Sequence, residues 1–143
     1  MKHISVGLCL LLLFSVGAFA APNSQYSSAP ITAALNSARF VFVTSYDGDQ
    51  FSGNPLPEDH KAIANVQNAI QKWGRFTVVD RIEDADIVLA VQSRGSEDVL
   101  AVYDAHQLGR GDYLWREIGH NGLQEAETPL VSDLRAAFEK ASQ

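Results

Sequence analysis

The sequence predicts an α/β domain with a single mixed β-sheet of about five strands, in the order β-α-β-β-β-β-α, and both helices packed on one face. Three observations predict it. Ala38–Tyr46 (ARFVFVTSY) and Ile87–Val91 (IVLAV) are short apolar runs rich in β-branched residues, as strands buried on both faces are. Ile63, Val66, Ile70 and Trp73 recur at spacings of three, four and three, the stripe of an amphipathic helix. Leu130, Leu134 and Phe138 repeat that pattern near the chain end.

The first twenty residues read as a leader and not as part of the fold. Lys2 supplies a positive start, Val6–Phe19 is apolar, and Ala18-Phe19-Ala20 offers small residues for cleavage before Ala21. The apolar core is short for a membrane span. The expectation is a secretory signal peptide over 1–20, cleaved after Ala20, and an exported, periplasmic or secreted product with no stable membrane anchor. The single cysteine, Cys9, falls inside this segment, so the mature chain would hold no disulfide, thiol nucleophile or zinc-thiolate site. Export without disulfides fits a bacterial envelope. Removal of 1–20 leaves 123 residues, one domain's worth. Lys2 is the one charge lost with it, so the net charge moves from −6 to −7. That balance argues against nucleic acid or anionic lipid as the main partner.

Residues 21–37 are polar and small and read as a flexible leader to the domain, with Ile31 and Leu35 able to dock on it. The domain itself spans 38–142. In the first strand Phe40 and Phe42 face one side, Val41 and Val43 the other. Asp47–Leu56 is a loop, and Pro57, Glu58 and Asp59 suit a helix start. The helix runs from Pro57 to Trp73, and Gly74 supplies its left-handed C-cap. Phe76–Val79 is a short strand, Glu83, Asp84 and Asp86 crowd a turn, and Ile87–Val91 follows. Arg94–Asp98 turns into Val99–Asp104, and Gly109-Arg110-Gly111 marks the hairpin back through Tyr113–Ile118. Simple alternation puts Tyr113 and Trp115 on one face, Leu114 and Ile118 on the other. His120–Glu127 is a loop, Thr128 the N-cap and Pro129 the first residue of the final helix.

The stretch Lys72–Val91 (KWGRFTVVDRIEDADIVLAV), with Ala85 and Asp86 leading into Ile87–Val91, resembles small bacterial envelope domains of the CsgG-like and TolB N-terminal-like type. The hairpin VLAVYDAHQLGRGDYLW is similar to the second half of such domains. The resemblance implies a non-catalytic periplasmic accessory role and brings no catalytic residues. The lipid-anchor cysteine that several such proteins carry is missing here.

Candidate chemistry is sparse, and no cofactor is expected. Asp47-Gly48-Asp49, with Asn54 and Glu58, lacks the regular oxygen spacing of a calcium loop and reads as a solvated turn. Its acidic residues would repel phosphate, and no P-loop pattern is present. No G-x-S-x-G or S-x-x-K motif occurs. His60, His106 and His120 lack a metal-ligand spacing. Asp104 and His106 share a strand end that His120 would have to reach to make a metal or acid–base site. A small metal-dependent or hydrolytic enzyme built on those hairpin loops is the alternative function. Asp86 is expected to accept from backbone amides, a structural role. Phe40, Phe42 and Trp73 read as packing. Tyr103, Tyr113 and Trp115 would form an apolar patch for a partner, another envelope protein, if they face solvent. The expected function is therefore an exported, non-catalytic, protein-binding envelope accessory domain.

Overall fold

The computed structural model describes residues 31–47, 50–52, 55–124 and 128–142. The stretch read as a signal peptide, the cleavage site expected after Ala20, and Gly48, Asp49 and Asn54 lie outside the described residues. The elements are α1 (Ala33–Ser37), β1 (Phe40–Asp47), β2 (Gln50–Ser52), α2 (Pro57–Trp73), β3 (Thr77–Val78), β4 (Ile87–Arg94), β5 (Glu97–Asp104), β6 (Tyr113–His120) and α3 (Pro129–Ala141). Short 3₁₀ turns at Ile82–Asp84 and Leu108–Arg110 lead into β4 and β6.

The strands form one mixed sheet in the order β2-β1-β4-β5-β6, with β3 also paired to β1. β1 runs parallel to β4 and β3 and antiparallel to β2. β4–β5 and β5–β6 are antiparallel hairpins. The α/β architecture, the mixed sheet and the placing of helices on one face agree with the reading of the sequence. Two elements are additions to it. β2 lies within the stretch read as the loop 47–56. α1 lies within the stretch read as the leader 21–37. Its five residues are too few to show a period, yet Thr32 Oγ1 accepts from Leu35 N and Leu35 is fully buried in the core.

The core lies between sheet and helices. Val41, Val43, Ile87, Leu89, Val91, Leu100, Val102 and Trp115 meet Leu35, Val66, Ile70, Leu130, Leu134 and Phe138 there. The axis of α2 is turned slightly from the expected stripe: Ala62, Val66 and Ile70 are buried, and Ile63 and Trp73 flank them half-buried. Trp73 closes one end of the core, edge-to-face with Phe76 at 5.3 Å and Phe138 at 5.4 Å. The Arg75 guanidinium lies 5.2 Å from the Phe76 ring and 5.5 Å from the Phe138 ring. Gly74 ends the helix at φ 72 and donates its N–H to Ile70 O, the C-cap read from the sequence. Thr128, in contrast, does not cap α3 with its side chain. It sits at φ 37, and its hydroxyl makes no bond to the first turn.

The alternation read along β6 fails at its start. Val102 pairs with Trp115 and Tyr103 with Tyr113, so Leu114 is an extra residue on β6. Such a bulge shifts the phase of the pleat. Tyr113 and Trp115 therefore face opposite sides: Trp115 is 0% exposed in the helix-side core and Tyr113 is 51% exposed on the other face. Trp115→Ala is expected to cost about 3–5 kcal/mol, as for other fully buried aromatic residues. Half-buried Trp73 should cost clearly less on the same change, and chemical denaturation of the two variants checks the order.

Candidate functional site

Three places gather chemistry-bearing side chains. The first is an open cavity of about 170 Å³ lined in part by Ser37, Asp86, Ile87, Asp104, His106 and Leu114. Antiparallel pairing ends here at Ile87 opposite Asp104. Asp86 Oδ2 accepts from Arg39 N at 2.8 Å and Phe40 N at 3.0 Å, and Asp86 N donates to Phe40 O. These amide bonds hold the Asp86 carboxyl below its usual range, and the charges of His106 and Arg39 help. Asp104 is engaged through both oxygens: His106 N donates to Oδ1 and Gln107 Nε2 to Oδ2, each at 2.8 Å. Both carboxylates thus terminate strands. Ser37 donates its hydroxyl to Ala34 O.

His120 does not join them. It pairs with Glu97 at the far end of the sheet, its Nδ1 3.1 Å from Ser96 O. Asp104 lies seven residues further along β5. At about 3.3 Å per residue this is more than ~20 Å away. Asp104, His106 and His120 therefore do not assemble into one site. His60 is exposed on α2. Among the described residues, no group of three or more His, Cys, Asp or Glu is placed to hold a metal ion. No serine hydroxyl among them is hydrogen-bonded to a histidine.

The second place is a buried polar network that sequence reasoning missed. Asp59 (1% exposed), Ser93 (1%) and Asp98 (0%) sit under the start of α2 at the β4–β5 turn. Asp59 Oδ1 accepts from Ser93 N and Arg94 Nη1, both at 3.0 Å. Ser93 donates its hydroxyl to Asp98 Oδ1 at 2.6 Å and accepts from Gln124 Nε2. Asp98 Oδ2 takes Leu123 N at 2.8 Å, and Asn65 Nδ2 donates to Leu123 O and Gln124 O. The network ties α2, the hairpin and the turn after β6 into one unit. The available signal was parity: Ser93 and Asp98 share the inward face with Val91 and Leu100, and Asp59 lies three residues before Ala62 on the buried side of α2.

The third place is the sheet face away from the helices. Its rows follow from the register: Phe42, Val88, Tyr103, Tyr113; then Thr44, Ala90, Ala101, Arg116; then Gln92, Val99, Ile118. Ala90 and Ala101 make a low floor across which Tyr46 reaches Tyr103, ring centroids 5.8 Å apart and stacked. Ile82 and Leu108, from the two 3₁₀ turns, pack on this side. Tyr103 is consequently only 7% exposed, and burial first, then the neighbouring Tyr46, pushes its hydroxyl pKa up. Of the expected patch Tyr103, Tyr113 and Trp115, only Tyr113 reaches the surface. The exposed apolar residues of this face are instead Phe40 (43%), Tyr113 (51%) and Ile118 (40%).

No protein-family model matches the sequence, and no curated protein matches it. Among solved structures, a PelC dodecamer from Paraburkholderia phytofirmans is similar over 70% of this chain and 86% of that one, at 16% identity and a TM-score of 0.40. At that TM-score the likeness carries no argument about function.

Asp98→Ala strands the Ser93 hydroxyl and Leu123 N–H, and is expected to cost about 2–3 kcal/mol by denaturant unfolding. Asp86→Asn should cost about 1 kcal/mol at pH 7, since its partners are exposed amides. The Asp86 carboxyl is lowered in the fold, so its contribution is present above the unfolded value near 4 and fades as pH falls below it. Wild type and Asp86→Asn should therefore converge in stability as the pH is lowered below the ordinary aspartate range.

Proposed function

We propose that this chain is an exported, non-catalytic accessory domain of the bacterial envelope that binds another envelope protein through the open face of its sheet. The observation that carries this reading is that face. Phe40, Tyr113 and Ile118 stand exposed there around half-buried Phe42 and Val99, while the helices cover the other face. Single exposed apolar side chains are ordinary, but exposed and half-buried ones on β1, β5 and β6 of one sheet face suit a protein partner. The polar groups support it from the other side. Asp86 and Asp104 bond main-chain amides, and Asp59, Ser93 and Asp98 bond one another and their surroundings out of solvent. The apolar segment Val6–Phe19 and the small residues before Ala21 support export. The resemblance of Lys72–Val91 to periplasmic accessory domains points the same way.

Photo-crosslinkers placed at Tyr113 and at Ile118 should trap a discrete envelope protein in native cells. The same group at Gln71, exposed on α2, should not. Tyr113→Asp combined with Ile118→Asp should abolish the crosslink from a reporter at Phe40 and leave the melting temperature within a few degrees. Equal trapping from Gln71, or trapping unaffected by the double change, overturns the reading.

A further inference from the structure

The two edges of the sheet differ. The outer side of β1 is covered at both ends, by β3 at Phe40–Val41 and by β2 at Ser45–Asp47. β6 ends the other side with eight residues, and among the described residues it pairs with β5 alone. A long unpaired strand is a ready template for another strand.

The side chains along that edge restrict what can be added. On the helix side Glu117 sits opposite Leu100, beneath α3. That helix is seated closely on β6: a Cβ at Gly119 would lie 3.1 Å from Leu130. Asp133 of α3 is the charge nearest in effect to Glu117. Burial raises the pKa of both carboxyls, and Asp133 raises that of Glu117 further. Among the described residues neither makes an ion pair, because the neighbouring Arg116 points to the opposite face opposite Ala101. On the open side, the same edge presents Ile118 and Tyr113.

We propose that β6 accepts an extended strand from a partner protein, with a lysine or arginine of that strand meeting Glu117 and Asp133 on the helix side and apolar residues lying on Ile118 and Tyr113. Alternation along an added strand delivers these two kinds of side chain to the two faces, and the main-chain bonds to β6 supply binding. This inference rests on the partner-binding reading above and names the partner's chemistry.

Two other occupants fit less well. A second copy of β6 would pair antiparallel about a two-fold axis perpendicular to the sheet, which keeps each face on its own side. The two registers of greatest overlap then place Glu117 against Glu117, or Arg116 against Arg116, and like charges directly opposite destabilise a pair. The chain's own residues 21–30 contain no lysine or arginine to meet the carboxylates.

The test uses the whole mature chain and a capped eight-residue peptide of alternating valine and lysine, with a valine–glutamate peptide as its counterpart. Backbone amide shifts and calorimetry are the readouts. The valine–lysine peptide should shift and protect amides of β6. Glu117→Gln with Asp133→Asn should weaken it about five- to tenfold, the effect of a partly desolvated ion pair. Glu117→Lys with Asp133→Lys should reverse the preference toward the valine–glutamate peptide, with both variants melting near wild type. Glu83→Gln with Asp84→Asn, remote exposed acids of the first 3₁₀ turn, should leave binding unchanged. Equal loss in that control, shifts confined to other strands, no binding at all, or pairing of β6 with a second copy or with residues 21–30, overturns the proposal. Crosslinking from Tyr113 without peptide binding removes the edge and keeps the partner reading. Peptide binding at β6 without a native crosslink keeps the edge and removes the envelope partner.

Discussion

Burial of β4 on both faces is the constraint from which the layout follows. Ile87, Leu89 and Val91 need apolar cover on one side, Val88 and Ala90 on the other. Only a strand with neighbours on both edges can be shielded so fully, so β4 lies between β1 and β5. The helices supply the first cover. For the second, the described residues use side chains: Tyr46 leaning toward Tyr103, with Ile82 and Leu108 brought in from the 3₁₀ turns. That cover is incomplete, and the residual exposure of this face follows from the placing of the helices of the described residues on the other side.

The polar groups divide in a way that follows from strand ends. Where β1 and β4 begin, Asp86 accepts two amides of the adjacent strand entry. Where β4 turns into β5, Asp59, Ser93 and Asp98 bind each other, Arg94 and the turn at Leu123. Strand ends leave amides that need partners, and buried ones are costly to leave unmade. Asp104, the carboxylate weighed as a candidate acid–base group, likewise ends a strand, accepting from His106 N and Gln107 Nε2. This accounts for a domain rich in acidic residues without an assembled acid–base pair among the described residues.

Legibility in the sequence tracked the range of the interaction concerned. The α2 boundaries, Pro57 and Trp73, rest on local signals, proline at the start and glycine after the end, and agree with the structure. The β4 run and the strand read over Ala38–Tyr46, observed as Phe40–Asp47, rest on composition over adjacent residues and were equally plain. α1 is held by contacts from far along the chain, Leu35 in the core and the Arg75 guanidinium on Asn36 O, whereas β2 pairs locally with the end of β1 and its three residues are too few to show a period. A site on the hairpin loops required His120 to reach Asp104 and His106, and antiparallel register carries it to the opposite end of β5. The buried network was recoverable from face parity, but a serine and two aspartates on an inward face contradict the usual partition of polar residues and are easily read as surface.

The extra residue at Leu114 gives β6 two phases in one strand. Upstream of it, odd positions look away from the helices; downstream, they look toward them. Tyr113 and Trp115 are thus two residues apart in sequence and on opposite sides of a wall. Loss of a single codon at 114 would leave Tyr113 and Trp115 consecutive, still on opposite faces and still opposite Tyr103 and Val102, and would remove only the packing of Leu114 itself against the core. Elsewhere along β6 the same loss would exchange the two faces of everything before it, so the strand's length is constrained at every position but the bulge.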